Sequence, residues 1–183
     1  MGETRKPFIS RAAIVKKPLP VVFSYLASME NMHELMINVV KMEKTTAGPI
    51  DVGTKFIESR NLRGNIVKAD VEVIEYEENK RFAIRSNSNG LITEYYYTFD
   101  EVQEGTQVVM KGFITFTTFR MKFFKKYLIR TISKEDGYQM YYLKEMLDNP
   151  PVEYLEEEKK KEQEEIERVE KLEALLTKEE QKV

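Results

Sequence analysis

Cysteine and tryptophan are absent from this chain of 183 residues, and histidine occurs once, at His33. Without cysteine there is no disulfide, thiolate metal site, iron–sulfur cluster or cysteine nucleophile. A single imidazole rules out a multi-histidine metal centre and leaves only His33 as an imidazole base. No apolar run approaches the ~20 residues of a membrane-spanning helix. The opening Met1-Gly2-Glu3-Thr4-Arg5-Lys6 lacks the apolar stretch of a signal peptide. The expectation is a soluble cytoplasmic protein with no metal and no cofactor.

Charge of one sign is also lacking overall, with 29 Lys+Arg against 31 Asp+Glu, yet its distribution is uneven. From Val152 onward there are seven basic residues and twelve Glu, a net of −5, which leaves a net of +3 before that point. Neither half has the clustered basic face and reading element of a nucleic-acid binder, so no nucleic-acid partner is expected. Asn149-Pro150-Pro151 separates the two parts, because proline lacks the amide donor a helix needs and biases its predecessor toward extended backbone. The expected organisation is a body over 1–149 and a charged helical extension over 150–183.

The extension reads as a helix. Glu156/Lys160, Glu157/Lys161, Glu164/Arg168 and Glu167/Lys171 are i,i+4 pairs in the favourable order, together about 1–2 kcal/mol of local support. Ile166, Val169, Leu172, Leu175 and Leu176 make a stripe of barely two heptads. Two uses stay open for 152–183: a solvated helix, or self-association or pairing with a partner helix.

The body alternates between helical and strand periods. Phe8 to Val15 reads as a strand, Leu19 to Leu26 as a helix with Pro20 in its first turn, and Asn31 to Ile37 as a second short helix. Six strands follow over Val39–Thr45, Thr54–Arg60, Asn65–Tyr76, Arg81–Ser86, Leu91–Val102 and Thr106–Phe116. Their short links, Asn89-Gly90 the clearest type I′ signal, predict an antiparallel meander. Phe119 to Leu147 is helix-compatible, with Phe123, Phe124, Tyr127, Leu128, Ile132, Tyr142, Leu143, Met146 and Leu147 at three- and four-residue spacing. Gly137 is expected to bend or break it. The fold class is therefore α+β, with about seven strands in the order β-α-α-β6-α.

These elements and four local words resemble the START-like superfamily of polyketide cyclases and lipid-transport proteins. The words are Pro18-Leu19-Pro20-Val21-Val22-Phe23, Gly48-Pro49-Ile50-Asp51-Val52-Gly53-Thr54, the run Val73 to Arg81, and Tyr97-Thr98-Phe99 followed by Gly105-Thr106-Gln107-Val108. The resemblance covers about residues 8 to 147. A tryptophan common in that family after the first helix is missing, with Leu35 or Met36 near its place. What the resemblance implies is a helix-grip fold, a curved antiparallel sheet wrapped around the C-terminal helix. It also implies a cavity between sheet and helix suited to a hydrophobic small molecule.

On that basis the expected ligand-binding residues are Phe56, Glu58, Tyr95, Tyr97, Phe99, Phe124, Leu128 and Ile132. Sequence alone leaves open whether the face of Phe56, Glu58 and Arg60 points inward or carries a surface ion pair. Glu94 beside Tyr96 poses the same question, and the aromatics are equally read as plain core. His33, in a polar stretch, reads as exposed or structural, and no catalytic residue is assigned. Arg120, Lys122, Lys125, Lys126 and Arg130, interleaved with aromatics, read as a solvated flank spread around the helix. The other reading is attraction to anionic lipid or an acidic partner. The favoured function is non-catalytic binding or transport of a lipid- or polyketide-like molecule. The alternatives are a cyclase, aromatase or dehydratase and a protein-interaction module built on the extension.

Overall fold

The structure, a computed structural model, describes residues 5–62, 64–151 and 160. Residues 1–148 form one unit of the chain and 149–183 another. The apolar stripe and i,i+4 pairs expected of the extension lie outside the described residues.

Strand β1 (Ile9–Val15) leads into helix α1 (Leu19–Ala27), which starts on Pro18 with Pro20 in its first turn. There the missing amide would have had no intrahelical partner anyway. The short helix α2 (Met32–Leu35) follows, and then β2 (Val39–Lys44), β3 (Lys55–Leu62), β4 (Asn65–Glu77), β5 (Arg81–Ser88), β6 (Leu91–Val102) and β7 (Gly105–Phe116). All seven strands pair antiparallel in the order β1-β7-β6-β5-β4-β3-β2. The meander of β2 to β7 is as the turn chemistry predicts, and β1 closes it by pairing with the last strand, Ile9 opposite Gly112.

Two turns explain the hairpins. Asn89 and Gly90 both have positive φ, 50° and 87°, the pair of left-handed conformations a type I′ turn requires. Gly105, at φ 135°, begins β7 so close to β1 that a Cβ there would lie 2.2 Å from the Val15 carbonyl oxygen. Only glycine allows that approach.

The inner face of the sheet carries the core. Tyr95, Tyr97 and Phe99 on β6 stand beside Phe82 on β5, Val71 and Val73 on β4 and Phe56 on β3, all buried. Phe23 of α1 meets Phe99 edge-on at 5.1 Å and Tyr76 at 5.5 Å, and Phe82 stacks on Tyr97 at 6.1 Å. Such ring pairs add stability beyond the area they bury. Leu35 and Met36 after the first helix are both buried.

The C-terminal helical region is not one rod. It comprises α3 (Phe119–Phe123), α4 (Lys125–Glu135), a 3₁₀ turn (Asp136–Tyr138) and α5 (Gln139–Asp148). Gly137 sits in the 3₁₀ turn, as its position predicts; the interruption at Phe124 was not anticipated. α5 packs inward through Met140, Leu143 and Leu147, whereas α4 buries no residue completely. Of the residues at that three- and four-residue spacing, Phe123, Phe124 and Tyr127 are exposed, whereas Leu143 and Leu147 are buried. The break at Phe124 shifts the phase of the helix, so spacing counted through it does not define one face.

Candidate functional site

On β3 the side chains alternate, and Phe56, Glu58 and Arg60 fall on the inner face. Phe56 and Glu58 are almost wholly buried and the Arg60 side chain is 21 % exposed. The open question about this face is settled: it points inward. A guanidinium in such a place needs anionic partners, since burial works against its charge. Arg60 has two. Its Nε and Nη2 donate to Glu58, the second at 3.3 Å, and its Nη1 donates to Asp136 Oδ1 at 3.2 Å. Burial alone would favour loss of the proton, but Asp136 and Glu58 outweigh it and hold Arg60 more firmly charged than usual.

One phenol joins the network and a second lies in a separate buried pair. Tyr95 donates its hydroxyl hydrogen to the other oxygen of Asp136, and burial followed by that carboxylate pushes its pKa well up. Tyr97 donates to Gln139 Oε1 at 3.0 Å, and burial pushes its phenol up as well. Gln139 Nε2 in turn lies 3.4 Å from Met32 Sδ, and Arg60 Nη2 lies 3.7 Å from Met36 Sδ. Among the described residues no buried side-chain nitrogen or oxygen lacks a partner. The polar cluster is a closed network inside an apolar shell.

Beside this cluster, between the sheet and α4, is a cavity of about 400 Å³. Its polar end is Glu58, Arg60 and Asp136. Its apolar lining includes Leu62 and Leu91 from the sheet and Leu128 and Ile132 from α4, with Thr93, Ser86 and Asn38 interspersed. Leu128, Thr131, Ile132 and Glu135 recur at i, i+3, i+4 and i+7, so one face of α4 forms the wall.

The residues expected to bind ligand therefore divide. Glu58, Leu128 and Ile132 line the cavity. Tyr95 lies one hydrogen bond behind it through Asp136, whereas Tyr97 is buried outside the lining and bonded to Gln139. Phe56 and Phe99 are buried, Phe99 against Phe23. Phe124 is 49 % exposed and stands apart from the cavity lining. Glu94 sits on the opposite face of β6 from Tyr95, under Arg5 and Arg85. Burial raises its pKa, but those two cations outweigh it and the net effect is a lowered value. His33 is half exposed and its Nδ1 lies 2.6 Å from the Glu30 carbonyl oxygen, outside the cavity.

Asp136 is the functional residue that sequence reasoning missed. A signal existed, since counting from Ile132 it occupies the core phase shared with Met140 and Leu143, where an acidic residue demands a cationic partner.

A model of the family described as polyketide cyclase / dehydrase and lipid transport matches residues 9–136. The chain belongs to that family. No curated protein matches it. Among solved structures it is similar to TTHA0849 from Thermus thermophilus, with 17 % identity and a TM-score of 0.61 over 76 % of this chain and 95 % of that one. It is also similar to the di-domain ARO/CYC StfQ from the steffimycin biosynthetic pathway, with 14 % identity and a TM-score of 0.61. That alignment takes in 76 % of this chain and 49 % of StfQ, so the chain spans about half of the di-domain protein. Ara h 8.0201 is a third neighbour, at 8 % identity and a TM-score of 0.55 over 74 % of this chain and 95 % of that one. Identities this low carry the polyketide cyclase / dehydrase fold and nothing finer. Among the described residues of this family member, no helix is long and apolar enough to cross a membrane.

Proposed function

We propose that the chain binds a hydrophobic small molecule in the cavity between the sheet and α4, without turning it over. The single observation that carries the reading is the cavity itself, about 400 Å³ with aliphatic walls and one polar end. Spaces of this size and composition are the usual receptacles for small apolar ligands. Relatives grouped under polyketide cyclase and lipid transport are consistent with such a cargo.

The charged lining narrows the cargo. Three carboxylates, Glu58, Glu135 and Asp136, face one guanidinium, Arg60, which is already shared between two of them. A fatty-acid carboxylate would meet net negative charge in a setting of low dielectric. A hydroxyl, amide or ammonium head finds acceptors there instead.

The same network supports the reading without turnover. Arg60 donates to both oxygens of Glu58, and Arg60 with Tyr95 donates to those of Asp136, so both carboxylates are already engaged by partners within the chain. Glu135 is the exception. It lines the cavity and forms no ion pair among the described residues, so a cyclase-type reading rests on this one carboxylate as general base.

Native mass spectrometry of the full chain tests the binding. A co-purifying apolar adduct at one per chain is expected, lost in Thr131→Trp, where an indole fills the cavity. Adduct retained by that variant, or none in the parent and no uptake of added long-chain alcohol or amine, overturns the reading. Chemical conversion of an added polyketide-like probe that disappears in Glu135→Gln establishes the cyclase reading instead.

A further inference from the structure

Between Glu104 and Glu135 the chain contains no acidic residue, while Phe119 to Lys134 holds six basic ones. The structure places this run on α3 and α4, outside the core. Phe119 is 86 % exposed and Phe123 78 %, with Phe124 and Tyr127 about half exposed. Phe123 and Phe124 touch edge to face at 5.2 Å and so present one apolar knob. Leaving several phenyl rings in water is unfavourable, and such a patch marks a docking surface.

The cations have a pattern that the break at Phe124 conceals in the sequence. Counted on α4 alone, Lys126, Arg130 and Lys134 recur every four residues and are all exposed. At 100° per residue this ridge lies nearly opposite the Leu128–Thr131–Ile132–Glu135 wall of the cavity. Lys122 and Lys125, next to Phe123 and Phe124 in sequence, are exposed as well. None of Lys122, Lys125, Lys126, Arg130 and Lys134 pairs with a carboxylate among the described residues. The flank expected from sequence to have no clean face therefore has a cationic outer side.

We propose that α3 and the outer side of α4 dock on an anionic lipid bilayer. Rings and cations alternate too closely here to leave the unbroken apolar strip that a protein groove would require. An interface of acyl chains beneath phosphates takes both at once, the rings at the headgroup boundary and the ammonium groups against the anionic layer. The inner side of the docked helix is the wall of the cavity, so the membrane contact adjoins the proposed ligand chamber. The docking stands on the surface residues alone and does not require the chamber to be occupied.

Co-sedimentation of the full chain with vesicles tests it. Binding is expected to vesicles of phosphatidylcholine mixed with phosphatidylglycerol, not to phosphatidylcholine alone, and to weaken as salt screens the surface. Each cation near such a surface contributes roughly a fivefold gain in partitioning, so Lys126→Gln/Arg130→Gln/Lys134→Gln lowers binding about 100-fold. Phe119→Ser/Phe123→Ser lowers it at fixed salt. Both variants keep the parent circular dichroism, because every substituted side chain is exposed. They also keep the small-molecule adduct, which separates this test from that of the cavity. No sedimentation with anionic vesicles at low salt overturns the proposal. Binding that survives both variants overturns it equally.

Discussion

Arg60 Nη1 stands 3.2 Å from Asp136 Oδ1, joining the inner face of β3 to the interruption between α4 and α5. The turn that interrupts the helical run is thus also where it is fastened to the sheet. Arg60→Leu leaves Glu58 and Asp136 buried without a counterion, and a loss of about 3–5 kcal/mol is expected. Arg60→Lys restores charge without the bidentate fork and recovers only part of it. Urea denaturation followed by circular dichroism measures both, and an unchanged midpoint for Arg60→Leu would show that the network carries no weight.

Tyr95 and Tyr97 make the fold sensitive to alkali. Burial raises both phenols, aided at Tyr95 by Asp136 and opposed at Tyr97 by the bond to Gln139. A raised folded-state pKa means that the unfolded chain releases these protons first, near pH 10. Their contribution to stability is complete below that pH and declines as pH climbs beyond it. In a phenolate absorbance titration, these two of the ten tyrosines should ionise only as the chain unfolds. Tyr97→Phe should remove part of the alkaline decline; an identical decline in that variant would refute the assignment.

Phe124 and Phe82 provide a matched pair. Phe124 is half exposed, so Phe124→Ala is expected to change stability by less than about 1 kcal/mol. Phe82 is fully buried against Tyr97, and Phe82→Ala should cost about 3–5 kcal/mol. Thermal or chemical melts of the two proteins, compared directly, decide whether the break at Phe124 turns its ring outward.

Residues 1–149 are expected to fold without the remainder. Asp148 closes the unit: it accepts the Lys16 amide at 2.7 Å and pairs with Lys144. Truncation after Asn149 should shift the melting temperature by no more than about 2–4 °C. A truncated chain that loses cooperative melting would show that the acidic extension contributes to the core.

Much of this architecture was legible because strand and turn signals are local. Asn89-Gly90 and the alternation of Val71 and Val73 with charged neighbours act within a few residues, and β6 spans Leu91–Val102 as its pattern predicts. The orientation of β3 was not legible, since either of its two faces satisfies the same alternation and only the packing of Asp136 against Arg60 distinguishes them. The ring at Phe124 deceived for a related reason. Periodicity assumes one continuous helix, and one non-helical residue at φ −91° and ψ 10° resets the phase for everything before it. Asp136 was overlooked because a polar residue in a core phase is ambiguous until its partner, far away in sequence, is known.

The pairing of β1 with β7 bears on how the protein is made. Ile9 leaves the ribosome early, yet its partner Gly112 is synthesised only after the whole meander. Until then β1 lacks the one strand it pairs with, and closing so long a loop is entropically slow. The nascent N-terminal segment is consequently the stretch most in need of a chaperone, and the register between first and last strands is the step on which successful folding turns.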